Sequence, residues 1–415
     1  MPQEMKPETP LDKTSLEEKL APEPKRRWFQ FRLRTLLVLV LLASGVFRWA
    51  GWELDQRRKE KKTIAWVEGM SGDVYFSGDK YNGCKTGWWI TTKNSLFGPR
   101  ATSIVLRNDL DDLSPLTELT SLESLACRGT NVSDLSPLVE LKSLESFTCR
   151  SRNVSDPTPL AELKNLKLLS LSNAQVSDLS PLAGLKNLES LSLSYMQVSD
   201  LSPLTEMKNL ETLDFRRTVV SDLTPLAGLK KMRTLNLSST EVSDLTPLVE
   251  LEDLWILSFN DTQVSDLTPL ARLKNLERLF LTDTEVSDLS PLATLKKVTM
   301  LWLDHTQVSD LSPLAGMESL SQLRLSKTKV RDLSPLAKLS SLMLLHLDDT
   351  QVNDLTPLAQ HKYLSELRLA RTEVSDLSPL AGLTGLRSLD LNGTKVTKEQ
   401  IDQLQLALPN CVITR

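Results

Sequence analysis

Apolar and polar residues recur along this chain on a schedule that does not drift. Valines or their equivalents fall at Val132, Val154, Val176, Val198 and onward to Val396, always 22 residues apart, and Leu110 extends the series one step back. The unit reads T-x-V-S-D-L-[ST]-P-L-A-x-L-K-x-L-x-x-L-x-L-x-x, with no insertion from Leu110 to Val396. In the copy around Val264, Leu257 and Phe259 flank Ser258, which is the period-2 alternation of a strand. Leu267, Leu270, Leu273 and Leu276 then recur every third residue, the spacing of a short 3₁₀ segment with one buried stripe. Thr268 before Pro269 predicts an N-cap hydroxyl followed by a proline preset for the first helical turn. Each unit is therefore a strand, a turn and a tight helical return. A unit this short cannot bury its own apolar side, so copies must stack, their strands about 4.8 Å apart in a parallel sheet.

The Thr two residues before each Val, as in Thr262, Thr284 and Thr306, predicts a hydroxyl that satisfies backbone groups in the turn or the neighbouring coil. That position holds Arg152, Ala174 and Met196 in the N-terminal third, beside an irregular "DPTPL" at Asp156–Leu160. The expectation is that local stability is lowest between Val132 and Val220.

These units resemble leucine-rich repeats, specifically the 22-residue bacterial kind of the internalin family, whose "D-[IL]-[ST]-P-L" is followed by leucines at three-residue spacing. The resemblance covers about seventy percent of the chain, residues 110–396. It implies an α/β solenoid: a right-handed leucine-rich-repeat superhelix with a parallel β-sheet on its concave face. The ladder position carries Thr where the family carries Asn, so the family's receptor chemistry does not transfer. The N-terminal segment and the "LPNC" near the end look more like membrane-anchored bacterial leucine-rich-repeat proteins of unassigned role.

Outside the repeats the pattern changes. Residues 1–34 are rich in charge and proline and are expected to be a disordered basic tail. Residues 35–52 form a transmembrane helix or signal anchor: the uncharged run Thr35–Phe47 reaches Trp52 when Arg48 snorkels, with Trp28, Trp49 and Trp52 as interfacial anchors. A cleaved secretory signal, suggested by "LLASG", is the alternative, and a buried soluble helix a third. Basic residues flank both ends, so charge does not fix the orientation; the expected one keeps the N-terminus inside and the repeats outside the cytoplasm. Residues 53–109 are expected to be a charged juxtamembrane segment and N-terminal cap, with strands in "DVYFSG" and "TGWWITT" and with Trp88 or Trp89 covering the open core. Residues 397–415 are the C-terminal cap. There Ile401, Leu404 and Leu408 mark a true helix, and Cys411 and Ile413 follow Leu389 and Leu391 by 22 in a last strand.

Charge narrows the partners. The net charge is −4, yet the first 62 residues hold 14 Lys/Arg against 9 Asp/Glu, which leaves the repeats acidic and argues against nucleic-acid binding. The four cysteines form no CxxC motif. Cys127 and Cys149, one period apart, are either a disulfide or two small buried hydrophobes, and the second reading is preferred.

The informative text is what varies. The first outward position after each strand leucine runs Ala126, Thr148, Ser170, Ser192, Asp214, Asn236, Ser258, Phe280, Trp302, Arg324, His346, Arg368 and Asp390. Small polar residues give way to five consecutive large ones, with Asp283, Asp304 and Asp348 beside them. Aromatic and Arg side chains are what binding hot spots use. The candidate ligand-binding residues are therefore Phe280, Trp302, Arg324, His346, Arg368, Asp283, Asp304 and Asp348, facing a protein or glycan. Arg128, Arg150, Arg216 and Arg217 form a weaker anion-binding candidate. No P-loop, GxSxG, HExxH or GxGxxG motif suggests an enzyme, and no cofactor is expected. His305 and His346 lie two strands apart, too far for one metal, and His361 is expected on the convex side. The expected function is a membrane-anchored binding platform. The alternatives are an envelope scaffold without a discrete ligand and a regulatory subunit docking on an enzyme.

Overall fold

The computed structural model describes residues 33–70, 72–76, 100–107 and 110–415. Most of the expected basic tail with Trp28, together with Cys84 and the Trp88–Trp89 pair, lies outside these residues. The chain divides into two compact units, residues 1–57 and 58–415.

A single helix, α1 (Leu33–Gly69), opens the described chain. It is the one helix among the described residues long and apolar enough to cross a membrane. The helix runs on past the expected membrane segment 35–52: the charged "ELDQRRKEKK" continues it, because Glu, Arg, Lys and Gln are strong helix formers. Within the second unit the last turns of α1 cover the first coil. Val67 is fully buried and Trp66 packs beside the core. Glu60 Oε1 accepts a hydrogen bond from Ala101 N at 2.6 Å, and Thr63 Oγ1 donates to Pro115 O at 3.0 Å. A helix therefore does capping work that the sequence pattern assigned to strands.

The strands are β1 (Asp73–Phe76), β2 (Ala101–Arg107), β3 (Ser124–Arg128), β4 (Ser146–Cys149), β5 (Leu168–Ser170), β6 (Ser190–Ser192), β7 (Thr212–Asp214) and β8 (Thr234–Asn236). They continue as β9 (Ile256–Ser258), β10 (Arg278–Phe280), β11 (Met300–Trp302), β12 (Gln322–Arg324), β13 (Leu344–His346), β14 (Glu366–Arg368), β15 (Ser388–Asp390) and β16 (Val412–Thr414). All sixteen form one sheet in chain order. β1 pairs antiparallel with β2 and every later pairing is parallel. From β3 to β15 the register advances by one full repeat per strand, as in Leu257↔Leu279↔Leu301. The last step differs: Leu389 pairs with Ile413, two residues beyond the expected Cys411. The extra residues are taken up by α2 (Lys398–Ala407), whose capping box joins Thr397 and Gln400. Cys411 is still buried, as are Leu404 and Leu408.

Between strands the leucines at three-residue spacing are also the hydrogen-bonding residues. Leu270 N donates to Leu267 O, Leu273 N to Leu270 O and Leu276 N to Leu273 O, at 2.9, 2.9 and 3.0 Å. The N-cap expectation is corrected. Thr268 is already the first helical residue, and it is Asp266 Oδ1 that accepts from Thr268 N at 2.8 Å. The carboxylate reaches forward two residues as an Asx turn does, and the same bond recurs in thirteen coils from Asp112 to Asp376.

After β3 and after each strand from β5 to β15 the chain reverses through one left-handed residue. Two are glycines, Gly129 and Gly393, but ten are not, among them Tyr195 (φ 64°), Arg217 (φ 56°) and Lys327 (φ 56°). The expected Thr hydroxyls follow and bond within their own turn, not across to the next coil: Thr262 Oγ1 donates to Phe259 O at 2.7 Å and Thr284 Oγ1 to Leu281 O at 2.8 Å. Thr130 is the exception, for its buried hydroxyl makes no such bond. His361, expected in a helical segment on the convex side, lies past the end of the short helix and inside the core. It is 1% exposed, stands where other coils place a leucine, and its ring nitrogens lie 3.2 and 3.1 Å from the carbonyls of Leu358 and Leu336.

Candidate functional site

Along each strand the leucines point inward and the residues between them form parallel rows on the open face of the sheet. From β3 to β8 those rows are mostly small and polar. The hydroxyls of Ser170, Ser172, Ser192 and Ser194 bond one another at 3.0 to 3.4 Å, and Ser238 meets Ser258 at 2.7 Å. These hydroxyls thus satisfy one another.

At β10 the chemistry changes. Phe280, Trp302, Arg324, His346 and Arg368 stand side by side as direct register partners. The Phe280 and Trp302 rings meet edge to face with centroids 4.6 Å apart, an arrangement favoured by the aromatic quadrupole. The Arg324 guanidinium lies 4.6 Å from the Trp302 centroid, within cation–π range. Both rings are half-buried, more sheltered than the expectation of exposed aromatics. Among the described residues the buried Trp302 Nε1 has no hydrogen-bond acceptor.

The charged members are paired among themselves. Arg324 Nε lies 2.8 Å from Asp304 Oδ2, an ion pair without the alignment of a hydrogen bond. Arg368 Nε donates to Glu366 Oε1 at 2.8 Å, and His346 Nε2 lies 3.0 Å from the same oxygen. Burial holds the His346 ring below its ordinary pKa, against the pull of Glu366. Burial also pushes the Glu366 carboxyl up, but the bonds from His346 and Arg368 outweigh it and leave it below its usual range. His305 Nδ1 meets Asp283 Oδ1 at 3.1 Å, and Arg371 clamps Asp349 through two contacts of 2.6 Å.

The eight residues expected at the site therefore divide. Phe280, Trp302, Arg324, His346 and Arg368 form one continuous row. Asp283 lies at the reversing turn beside it. Asp304 is 2% exposed, and its Oδ1 accepts from Ser326 N at 2.9 Å. Asp348 Oδ1 accepts from Ala370 N at 2.9 Å. Both carboxylates tie one strand to the next before any ligand arrives. His346, at 6% exposure, supports Glu366 from below the surface.

Sequence reasoning missed a second row, two residues earlier on the same strands. It holds Ser124, Ser146, Ser190, Thr212 and Thr234, interrupted by Leu168, and then Ile256, Arg278, Met300, Gln322, Leu344 and Glu366. The signal was available in the same 22-residue spacing. The two rows change character together over β9–β14, so the patch is broader than one line of side chains.

Elsewhere, Arg216 is locked onto Asp214 at 2.8 Å and Arg217 lies 5.3 Å from the Tyr195 ring centroid, so two of the four arginines of the anion-binding candidate are engaged. Cys127 and Cys149 are register partners, buried, with free thiols, and the neighbouring Cys149 thiol, aided by burial, pushes the Cys127 thiol up. Among the described residues no group of three or more His, Cys, Asp or Glu is placed to hold a metal ion.

The stacked coils with their single sheet define a leucine-rich-repeat protein. A family model described as leucine-rich repeats (2 copies) matches residues 164–206 and 274–316. Internalin InlF from Listeria monocytogenes is 30% identical, with 72% of this chain and 92% of that chain covered and a TM-score of 0.66. The chain belongs to the internalin-like leucine-rich-repeat proteins. The Leptospira interrogans leucine-rich-repeat protein LIC12759 shares the fold at 21% identity, covering 75% of this chain and 82% of that one, with a TM-score of 0.69. The plant peptide hormone receptor RGFR1, solved with RGF2, shares it at 17% identity over 75% of this chain and 54% of its own, with a TM-score of 0.62. No curated protein sequence matches.

Proposed function

We propose that this protein is a binding platform whose sheet face over β9–β14 docks a protein partner, and that α1 holds it at a membrane with the repeats outside the cytoplasm. One observation carries the reading. Two outward rows that are mostly small and polar from β3 to β8 turn together into Ile256, Phe280, Met300, Trp302, Leu344 and their arginines, although the folding of those strands asks only for the inward leucines. Arg324 and Arg368 are paired with Asp304 and Glu366, and Arg278 lies over the Trp255 ring, so what remains unmet is apolar surface. The partner that fits inserts an apolar side chain against Phe280 and Trp302, with the paired charges as a polar rim. The fold is one that, in RGFR1, is solved in complex with RGF2. Nothing in the patch calls for catalysis.

Crosslinking in cells followed by pull-down tests this. The double variant Phe280→Ala, Trp302→Ala should lose about tenfold or more of the captured partner while its far-UV circular dichroism is unchanged. Equal capture by that variant would refute the docking patch. Protease accessibility of the repeats in intact cells tests the orientation: protected repeats would favour a subunit that docks on a cytoplasmic enzyme.

A further inference from the structure

A different feature sits at the rim where each coil turns from its short helix into its strand. The residue just before the strand is Glu, Lys, Arg, Thr, Ser or Met in every coil but one; there it is Trp255. This ring is 40% exposed, so packing does not explain its presence. It borders an open groove of about 320 Å³ lined by Arg233, Asp253, Asn275, Glu277 and Lys297.

The lining is fixed and balanced. Asn275 is the floor: its Nδ2 donates to Glu252 O at 3.1 Å and its Oδ1 accepts from Lys297 Nζ at 2.8 Å. Arg278 lies over the Trp255 ring, 5.5 Å from the centroid. Arg233 reaches Glu211 at 3.6 Å. The carboxylates of Asp253 and Glu277 have no hydrogen bond or ion pair among the described residues. Two cations and two anions line the groove. A cationic ligand would compete with Arg278 for the ring, and an anionic one would meet Asp253 and Glu277. The chemistry that uses everything present is a ring with an apolar face for the indole and hydroxyls that both donate and accept.

We propose that the groove beside Trp255 binds a short neutral glycan, one pyranose face stacked on the indole and its hydroxyls bonded to Asp253, Glu277, Arg233 and Lys297. The volume lies at the small end of ligand sites, which suits a few sugar rings. The site does not use Phe280 or Trp302, so it stands or falls apart from the docking patch.

Saturation-transfer NMR on the full chain with maltotriose, chitotriose and mannotriose tests it. At least one of these sugars should receive saturation from the wild type. The affinity should fall about tenfold in Trp255→Ala and in Asp253→Asn, Glu277→Gln, and stay unchanged in Phe280→Ala, Trp302→Ala, in line with the usual weight of an aromatic anchor. No transfer to any of the three sugars, or equal transfer in Trp255→Ala, would overturn the assignment. Sugar binding lost in the Phe280/Trp302 variant would also overturn it, since the sugar would then sit in the docking patch. Sugar binding kept while that variant still captures the protein partner would sink the docking patch alone.

Discussion

At the scale of single residues the coil is closed by small polar groups, not by its leucines alone. A carbonyl just past the end of a strand needs a donor, and where a Thr stands three residues on its hydroxyl supplies one, joined in some coils by its backbone N–H, as Thr372 N is at 3.2 Å from Leu369 O. Thr262 is one such case, at 7% exposure and 2.7 Å from Phe259 O. Replacing it by Val keeps the shape and removes the donor, leaving a buried acceptor unmet. Thr262→Val should lower the unfolding free energy by about 1–2 kcal/mol, read from the urea midpoint. The left-handed residues teach a different lesson. Tyr195, Arg217 and Lys327 do not look like turn formers, and no propensity scale would have placed them at positive φ. The stack forces the conformation because the N–H of each is already engaged, as Lys327 N is by Asp348 O at 2.7 Å. Residue preference is overridden by the bond to the next coil.

At the scale of elements, regularity explains both what was legible and what was not. Inward and outward positions could be assigned from sequence because the period is constant and a strand alternates. The cap was hidden for the opposite reason. Residues 58–69 show one fully buried apolar side chain, Val67, among many charges, so no amphipathic stripe announces a buried face. The slip at β16 was equally hidden, since α2 consumes two residues that no repeat precedent counts. The Asp304 and Asp348 roles could not be read either, because a carboxylate that bonds the next strand looks the same in sequence as one that waits for a ligand. The "DPTPL" irregularity leaves no mark on the element: Thr158–Glu162 is an ordinary 3₁₀ helix, and Asp156 Oδ1 still accepts from Thr158 N at 2.9 Å. What does differ nearby is the closing hydroxyl. Ala174 and Met196 are buried and offer none, and Ser151 bonds Val132 O instead. Hydrogen exchange should therefore be fastest, among the repeats, in the turns between Val154 and Val198. Uniform protection from Val132 to Val220 would refute this.

At the scale of the whole molecule, thirteen aspartates stand one per coil. The hydroxyl of the Ser or Thr two residues ahead, together with its backbone N–H, lowers each carboxyl below its ordinary pKa. A depressed folded-state value means that the unfolded chain binds protons first as pH drops. The stabilisation is therefore complete above the ordinary Asp value, about 3.9, and is lost as pH falls through the lower folded values. Each term is small because the groups are solvent-exposed, yet all act in one direction and in one cooperative structure. The urea midpoint should hold steady from neutral pH to about 5 and then fall steeply below about 4, and Asp→Asn at several of these positions should flatten that fall. A midpoint that stays level down to about pH 2 would show that the caps contribute nothing to stability.

The unbroken register from β3 to β15 has a consequence for how such a molecule can change over generations. Every joint between coils is the same joint. A gene segment encoding one period that is copied or lost in frame therefore leaves its neighbours facing the surfaces they faced before. Reach can grow or shrink by whole steps, while the handful of side chains that choose a partner ride along untouched.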